Sequence, residues 1–329
     1  MHNRIRRELA AATLTSSVAL IGAVPAATAQ DYPARPVRWV VPFAPGGIND
    51  IIGRTIAQRL SERLGQQVVV DNRGGGGGII GAEIVARAAP DGYTLFQTNA
   101  GPHGINPTLY PKLPYDAVRD FAPITQLVTT PMILVVPSNS PARSVKDLIA
   151  LARSKGGLNY ASTGVGSTPH LTTEHFKSLT GVRLEHVPYK GAAPAFLDMM
   201  AGHIAVQFTT LASAQAHVNS GRVRVLGVCG PRRIELLPDV PTMAEAGIPN
   251  FEIAIWNGLL APARTPNAVV ERLHAETVAV LRQPEVRARI VGTGAEPVGN
   301  TPLAFGEYIR AEIKAWGEIV RRSGATAWN

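Results

Sequence analysis

The feature that most constrains this chain is an alternation of short apolar runs with amphipathic stretches, sustained from Pro36 to Arg322. Apolar runs bounded by Pro, Gly or Asp read as strands, and stretches with apolar residues at steps of three and four read as helices. Residues 36–42 predict a first strand. Ile52, Ile56, Leu60 and Leu64 then fall at steps of four, so a helix follows, with Asn49 or Asp50 near its N-cap and Gly65 stopping it. Further strands are expected at 67–71, 93–98, 158–161, 204–208 and 222–228. Helices are expected at about 80–89, from Ser144 to the glycine pair at 156–157, from Pro169, and near 267–281 and 302–322. Residues 101–123, rich in Pro and Gly, read as a loop. Alternation of this kind builds α/β layers.

Two runs stand apart from the alternation. Residues 132–137 and 253–260 are strongly apolar and read as crossings between lobes. Two crossings make one lobe from both ends of the chain (30–131 with 256–329) and the other from an insertion (132–255). A cleft between such lobes is a natural ligand site that closes by hinge motion.

The N-terminus sets the compartment. Arg4, Arg6 and Arg7 precede a mostly apolar run from Leu9 to Val24, and Ala27-Thr28-Ala29 is the small-x-small pattern that a signal peptidase accepts. Residues 1–29 are therefore expected to be a signal peptide, cleaved near Ala29, and the protein periplasmic. Thr13, Thr15, Ser16, Ser17 and Pro25 interrupt the run, which makes it poor as a bilayer span. The formal charge of +8 is scattered, with no Lys/Arg-rich or aromatic-interleaved basic run, so no nucleic-acid partner is expected. Cys229 is the one cysteine, which excludes an internal disulfide and a thiolate metal cluster. It reads as a small core hydrophobe within a strand.

Three motifs suggest catalysis and each fails on spacing. Gly76-Gly77-Gly78-Ile79-Ile80-Gly81 fits G-x-G-x-x-G, but the acidic residue needed about twenty positions later for a ribose is missing. The run reads instead as a turn with close helix–strand packing, not as the leading site. His170-Leu171-Thr172-Thr173-Glu174-His175 lacks the register of a zinc helix, since His175 is rotated about 100° beyond Glu174. Ser167 near His170 lacks the G-x-S-x-G elbow of a hydrolase. No cofactor, metal or catalytic residue is expected.

Two loops share a design instead. Phe43-Ala44-Pro45-Gly46-Gly47-Ile48-Asn49-Asp50 and Ser162-Thr163-Gly164-Val165-Gly166-Ser167-Thr168-Pro169 each deliver backbone N–H groups at a helix start. Unpaired N–H groups and the positive end of the helix dipole favour an anion, and glycines let it approach the backbone. A carboxylate is held this way without a buried arginine.

At these loops and along the whole chain after the leader, the sequence resembles the Bug family, the extracytoplasmic binding proteins of tripartite tricarboxylate transporters. The matching stretches include Val41-Pro42-Phe43-Ala44-Pro45-Gly46-Gly47 with Asp50, Val70-Asp71-Asn72-Arg73 and Pro90-Asp91-Gly92-Tyr93-Thr94. Leu113-Pro114-Tyr115-Asp116, Tyr160-Ala161-Ser162 with Gly166-Ser167 and His170, Val187-Pro188-Tyr189-Lys190-Gly191 and Leu237-Pro238-Asp239-Val240-Pro241-Thr242 continue the match.

The resemblance implies a two-lobed periplasmic-binding-protein type II (Venus flytrap) fold with the ligand in the cleft. It implies ligand contacts from Phe43, Gly46, Gly47, Ile48, Thr98 and Asn99 in the first lobe, and from Ser162, Gly166, Ser167, Thr168, His170 and Tyr189 in the second. Thr209 is placed to reach the far end of the ligand. The expected activity is non-catalytic capture of a small carboxylate, a di- or tricarboxylate or an aromatic acid, by a monomer that docks transiently on membrane permease subunits. A sensor module for a two-component receptor and an exported enzyme are the alternatives. The family often carries acidic residues near Ala205 and Thr209, and their absence here argues against an amino-acid ligand.

Overall fold

A computed structural model describes residues 32–324 and 326, apart from Ala44 and Lys190. The expected leader and its cleavage point lie outside the described residues. Three parallel strands start the fold, β1 (Val37–Val41), β2 (Val68–Asn72) and β3 (Thr94–Asn99), with β1 central. Between them run α1 (Ile48–Leu64) and α2 (Ile79–Ala86). Trp39, Val40 and Val41 are buried, as an interior strand of a covered parallel sheet requires.

The stretch expected as a loop at 101–123 is more ordered than its Pro and Gly content suggests. Gly101–Ile105 forms one turn of π-helix, α3 spans Asn106–Leu109, and the long strand β4 (Phe121–Pro137) begins at Phe121. Strand pairing absorbs Pro123 at one of two irregularities in the register of β4 against β9 (Ala254–Pro262), and Pro131 lies opposite Ala254 at the end of that pairing.

β4 belongs to two half-sheets. Its first part pairs with β9 and with the short β10 (Glu296–Pro297), and β9 pairs in turn with β3. Its last part, Met132 to Pro137, pairs with β7 (Val206–Thr210) and β8 (Val223–Val228). Beyond β7 lie β5 (Leu158–Ser162) and β6 (Leu184–Pro188) in parallel. The return at β9 crosses at its first residue, since β9 pairs only within the first half-sheet.

At the junction three backbones close a ring. Cys229 N–H donates to Met132 O at 2.7 Å, Ile253 N–H to Cys229 O at 2.8 Å, and Met132 N–H to Ile253 O at 3.0 Å. Cys229 is fully buried there. Its small side chain is what the crowded crossing accepts.

Helices α4 (Val145–Ser154), α5 (Thr168–Thr180), α6 (Ala192–Met200) and α7 (Leu211–Asn219) cover the second half-sheet. Ser144 caps α4 by accepting the Asp147 N–H. Three further helices, α8 (Asn267–Leu281), α9 (Pro284–Val291) and α10 (Pro302–Ser323), close the chain. α10 packs on β9 so tightly that a Cβ on Gly258 would run into the Phe305 ring. Burying aromatics such as Trp256, Phe305, Phe208 and Phe251 contributes about 1.5–3 kcal/mol each.

Candidate ligand-binding site

A cavity of about 480 Å³ opens where β4 and β9 cross, with Met132 and Ile255 as part of its wall. This is a volume suited to a small organic molecule. Phe43, Ile48 and Asn49 enter from the first loop and the start of α1. Thr163, Val165, Gly166, Ser167, Thr168 and Pro169 enter from the second loop and the start of α5. Asn99 and Gly101 come from the end of β3, and Thr209, Thr210 and Ser213 from the end of β7 and the start of α7. Among the described residues no Asp, Glu, Lys, Arg or His side chain lines the cavity.

Each of these helix starts leaves donors unused. α1 is capped by Gly47, not by Asn49 or Asp50, and no side chain accepts from its first turn. The N–H groups of Ile48, Asn49 and Asp50 have no acceptor among the described residues. Asp50 sits inside the helix because its carboxylate folds back to accept from Gly46 N–H (2.9 Å), Arg54 Nε (2.9 Å) and Asn72 Nδ2 (3.0 Å). Burial pushes the Asp50 carboxyl up, but these donors outweigh it and hold the group below its ordinary range.

α5 has the same character. Ser167, its N-cap, donates its hydroxyl proton to Gly164 O at 2.6 Å and caps nothing. The N–H groups of Thr168 and His170 have no acceptor among the described residues. Gly166 stands at φ +73°, a left-handed conformation that favours glycine, and its N–H donates to His170 Nδ1 at 3.0 Å. α7 differs in one respect: Thr210 Oγ1 accepts from Ser213 N–H. Thr209 beside it is almost wholly buried, and its hydroxyl makes no hydrogen bond among the described residues. Three helix N-termini thus meet a cavity that no charged side chain among the described residues lines, an arrangement that offers an anion N–H donors and aligned dipoles.

The sequence-derived contacts divide between residues on the cavity wall and residues off it. Phe43, Ile48, Asn99, Gly166, Ser167, Thr168 and Thr209 line the cavity; Gly46, Gly47, Thr98, Ser162, His170 and Tyr189 do not. Thr98 is fully buried with its hydroxyl 2.6 Å from His103 Nδ1. Ser162 Oγ donates to Gly164 O and lies 2.6 Å from His186 Nε2. Tyr189 donates to Asp198 Oδ2 at 2.6 Å, and burial together with that carboxylate pushes its hydroxyl up to about 12.

Asn106, Leu109 and Tyr110 reach the cavity from the segment taken for a loop, and Met132 and Ile255 from the crossings. Their contribution is tertiary, and no local pattern marks it. In the glycine run Gly75 to Gly78 all have positive φ, and Gly75 packs against Ile80 and Gly78 against Pro102, as a tight turn would. Yet Gly77 also lines the cavity, its carbonyl accepting from Asn106 Nδ2 at 3.1 Å.

The profile of the tripartite tricarboxylate transporter family receptor matches residues 52–325. The chain belongs to this receptor family. The family's BugT from Bordetella pertussis (strain Tohama I) is 35% identical over 310 residues, covering 94% of this chain and 95% of BugT. An R. palustris protein solved with adipate superposes with a TM-score of 0.81 at 38% identity, covering 90% of this chain and 99% of that one. MatC from Rhodopseudomonas palustris, with bound malate, gives 0.76 at 33% identity, covering 88% and 100%. As a member of the receptor family the chain has the two-lobed periplasmic-binding-protein fold, and the half-sheets joined through β4 are its framework.

Proposed function

We propose that this receptor captures a small carboxylate between its lobes and hands it, chemically unchanged, to the permease subunits of a tripartite tricarboxylate transporter. The observation that carries the reading is the cavity without charged side chains, onto which the open N-termini of α1 and α5 converge. A carboxylate satisfies N–H groups on both sides at once and needs no buried countercharge. The family membership and the adipate and malate held by two relatives point the same way.

In this reading the lobes are residues 30–131 with 256–329 and residues 132–255, and the ring of bonds among Met132, Cys229 and Ile253 is the hinge. The ligand shifts a population from open to closed because only the closed form presents both loops to the same carboxylate. Phe43, Ile48, Asn99, Gly166, Ser167, Thr168 and Thr209 are its contacts, and the binding unit is a monomer exported to the periplasm. Native mass spectrometry of the purified protein, followed by a thermal-shift screen of di-, tri- and aromatic carboxylates, tests the function. A raised melting temperature with at least one carboxylate is expected. Chemical turnover of the compound that binds would contradict capture without catalysis.

A further inference from the structure

Behind the second loop three nearly parallel rings form a cluster. His170 on α5 stacks on His186 of β6 with ring centres 4.1 Å apart and planes 6° from parallel. Tyr160 of β5 also stacks on His186, at 4.9 Å, with its ring centre 6.5 Å from that of His170. Neither imidazole lines the cavity; each instead holds one end of the loop that does. His170 Nδ1 accepts the Gly166 N–H at 3.0 Å. His186 Nε2 meets Ser162 Oγ at 2.6 Å, and that oxygen exchanges hydrogen bonds with Gly164.

We propose that His170 is a positioning residue for this loop, and that the loop keeps its binding conformation only while His170 is neutral. An imidazole nitrogen that accepts from an N–H is by necessity unprotonated, so the proton of neutral His170 is on Nε2. Adding a proton to Nδ1 sets two donors against each other across 3.0 Å. Gly166 then loses the bond that fixes its left-handed turn, and the N–H groups beside it lose their aim.

The surroundings resist that proton but do not forbid it. Burial lowers the affinity of His170 for a proton, and Lys177 on the same helix adds to the effect while Glu174 opposes it. His186 is held down to about 4, by burial first and then by its neighbour His170. Glu174 is the one carboxylate that bears on both imidazoles, and it already accepts from Tyr160 Oη (2.6 Å) and Lys177 Nζ (2.8 Å). The two imidazoles therefore stay neutral at ordinary pH and charge below the usual histidine range.

The inference rests on the carboxylate reading only for its binding arm. In ¹⁵N-labelled ligand-free protein taken from pH 7.5 to 4.5, the Gly166 amide shift is expected to follow protonation of His170 with the same midpoint. In His170→Asn the amide oxygen stands near the place of Nδ1, so the Gly166 signal is expected to stop titrating. In His170→Leu that amide should exchange rapidly at every pH. A Gly166 signal indifferent to His170 in the wild type, or titrating unchanged in His170→Asn, would overturn the proposal.

With adipate as probe at pH 7.5, His170→Leu is expected to bind about tenfold more weakly and His170→Asn to recover most of that loss. At pH 5 the wild type should fall behind His170→Asn, a ratio in which protonation of adipate itself cancels. Absence of adipate binding to every form would count against adipate as a ligand, and the amide titration would still decide the role of His170.

Discussion

Gly166 and Leu109 face each other across the cavity so closely that a Cβ on Gly166 would lie 2.6 Å from Leu109 Cδ2. One belongs to the loop before α5, the other to α3, and both line the cavity. The contact joins elements from both half-sheets, so the shape of the second loop is set partly by the first.

Replacing Gly166 with valine imposes two penalties. The left-handed φ of +73° costs a β-branched residue about 1–3 kcal/mol, and the side chain meets Leu109. The loop relieves both by leaving the cavity. A tenfold to hundredfold loss of carboxylate affinity by calorimetry is expected, with an unchanged far-ultraviolet dichroism spectrum.

Asn99 tests the electrostatic part of the account. Its Nδ2 donates to Asn49 Oδ1 at 3.3 Å and its Oδ1 accepts the Gly101 N–H at 2.9 Å. Asn99→Asp preserves shape while adding a negative charge to a cavity wall that carries none among the described residues. Repulsion on the order of 1–3 kcal/mol at several ångströms weakens binding roughly tenfold to hundredfold. Restoration of affinity on lowering the pH would locate the effect in the new carboxyl.

Acid destabilises this fold through His103. It is fully buried among Phe96, Tyr115 and Phe121, and burial lowers its pKa to about 3. Above the ordinary histidine value of 6.5 both folded and unfolded chains hold it neutral, and it adds no pH dependence. Below 6.5 the unfolded chain takes a proton that the folded chain refuses until about pH 3, so stability falls by about 1.4 kcal/mol per unit. Urea unfolding of His103→Phe at pH 7, 6, 5 and 4 should show a slope against pH shallower by that amount. A slope equal to the wild type's would contradict the assignment.

Glu312 ties α10 to the crossing strand β9. Its Oε2 accepts from Trp256 Nε1 at 2.7 Å and from Trp316 Nε1 at 2.9 Å. Burial raises its pKa although both indoles oppose the shift. Glu312→Leu orphans two N–H groups and is expected to cost about 2–5 kcal/mol in chemical denaturation. Glu312→Gln keeps an acceptor oxygen in place and should stay within about 1 kcal/mol.

The parts of the fold legible in the sequence are those where local chemistry agrees with tertiary demand. α8 runs from Asn267 to Leu281, as its apolar period and flanking prolines indicate. α1 is legible from Ile52, Ile56, Leu60 and Leu64, all buried, but its cap is not. Asp50 has the chemistry of a cap, and Arg54 and Asn72, which hold it one turn inside, are close only after folding.

Proline misleads at β4, where Pro123 sits at a register slip and Pro131 at the end of the pairing with β9. The candidate site divides in the same way. Its glycine loops announce themselves, because free N–H groups at helix starts are a local property. Leu109, Asn106, Met132 and Ile255 reach the cavity only through the crossing of β4 and β9, which no window of sequence encodes.

The central claim is that unpaired backbone donors around a cavity without charged side chains hold a carboxylate. Isothermal titration of a panel of di-, tri- and aromatic carboxylates, each beside its amide, tests it most directly. One saturable site per chain for at least one acid, with the matching amide bound at least about a hundredfold more weakly, is the predicted result. An amide bound as tightly as its acid, or a panel without any saturable binder, would contradict it.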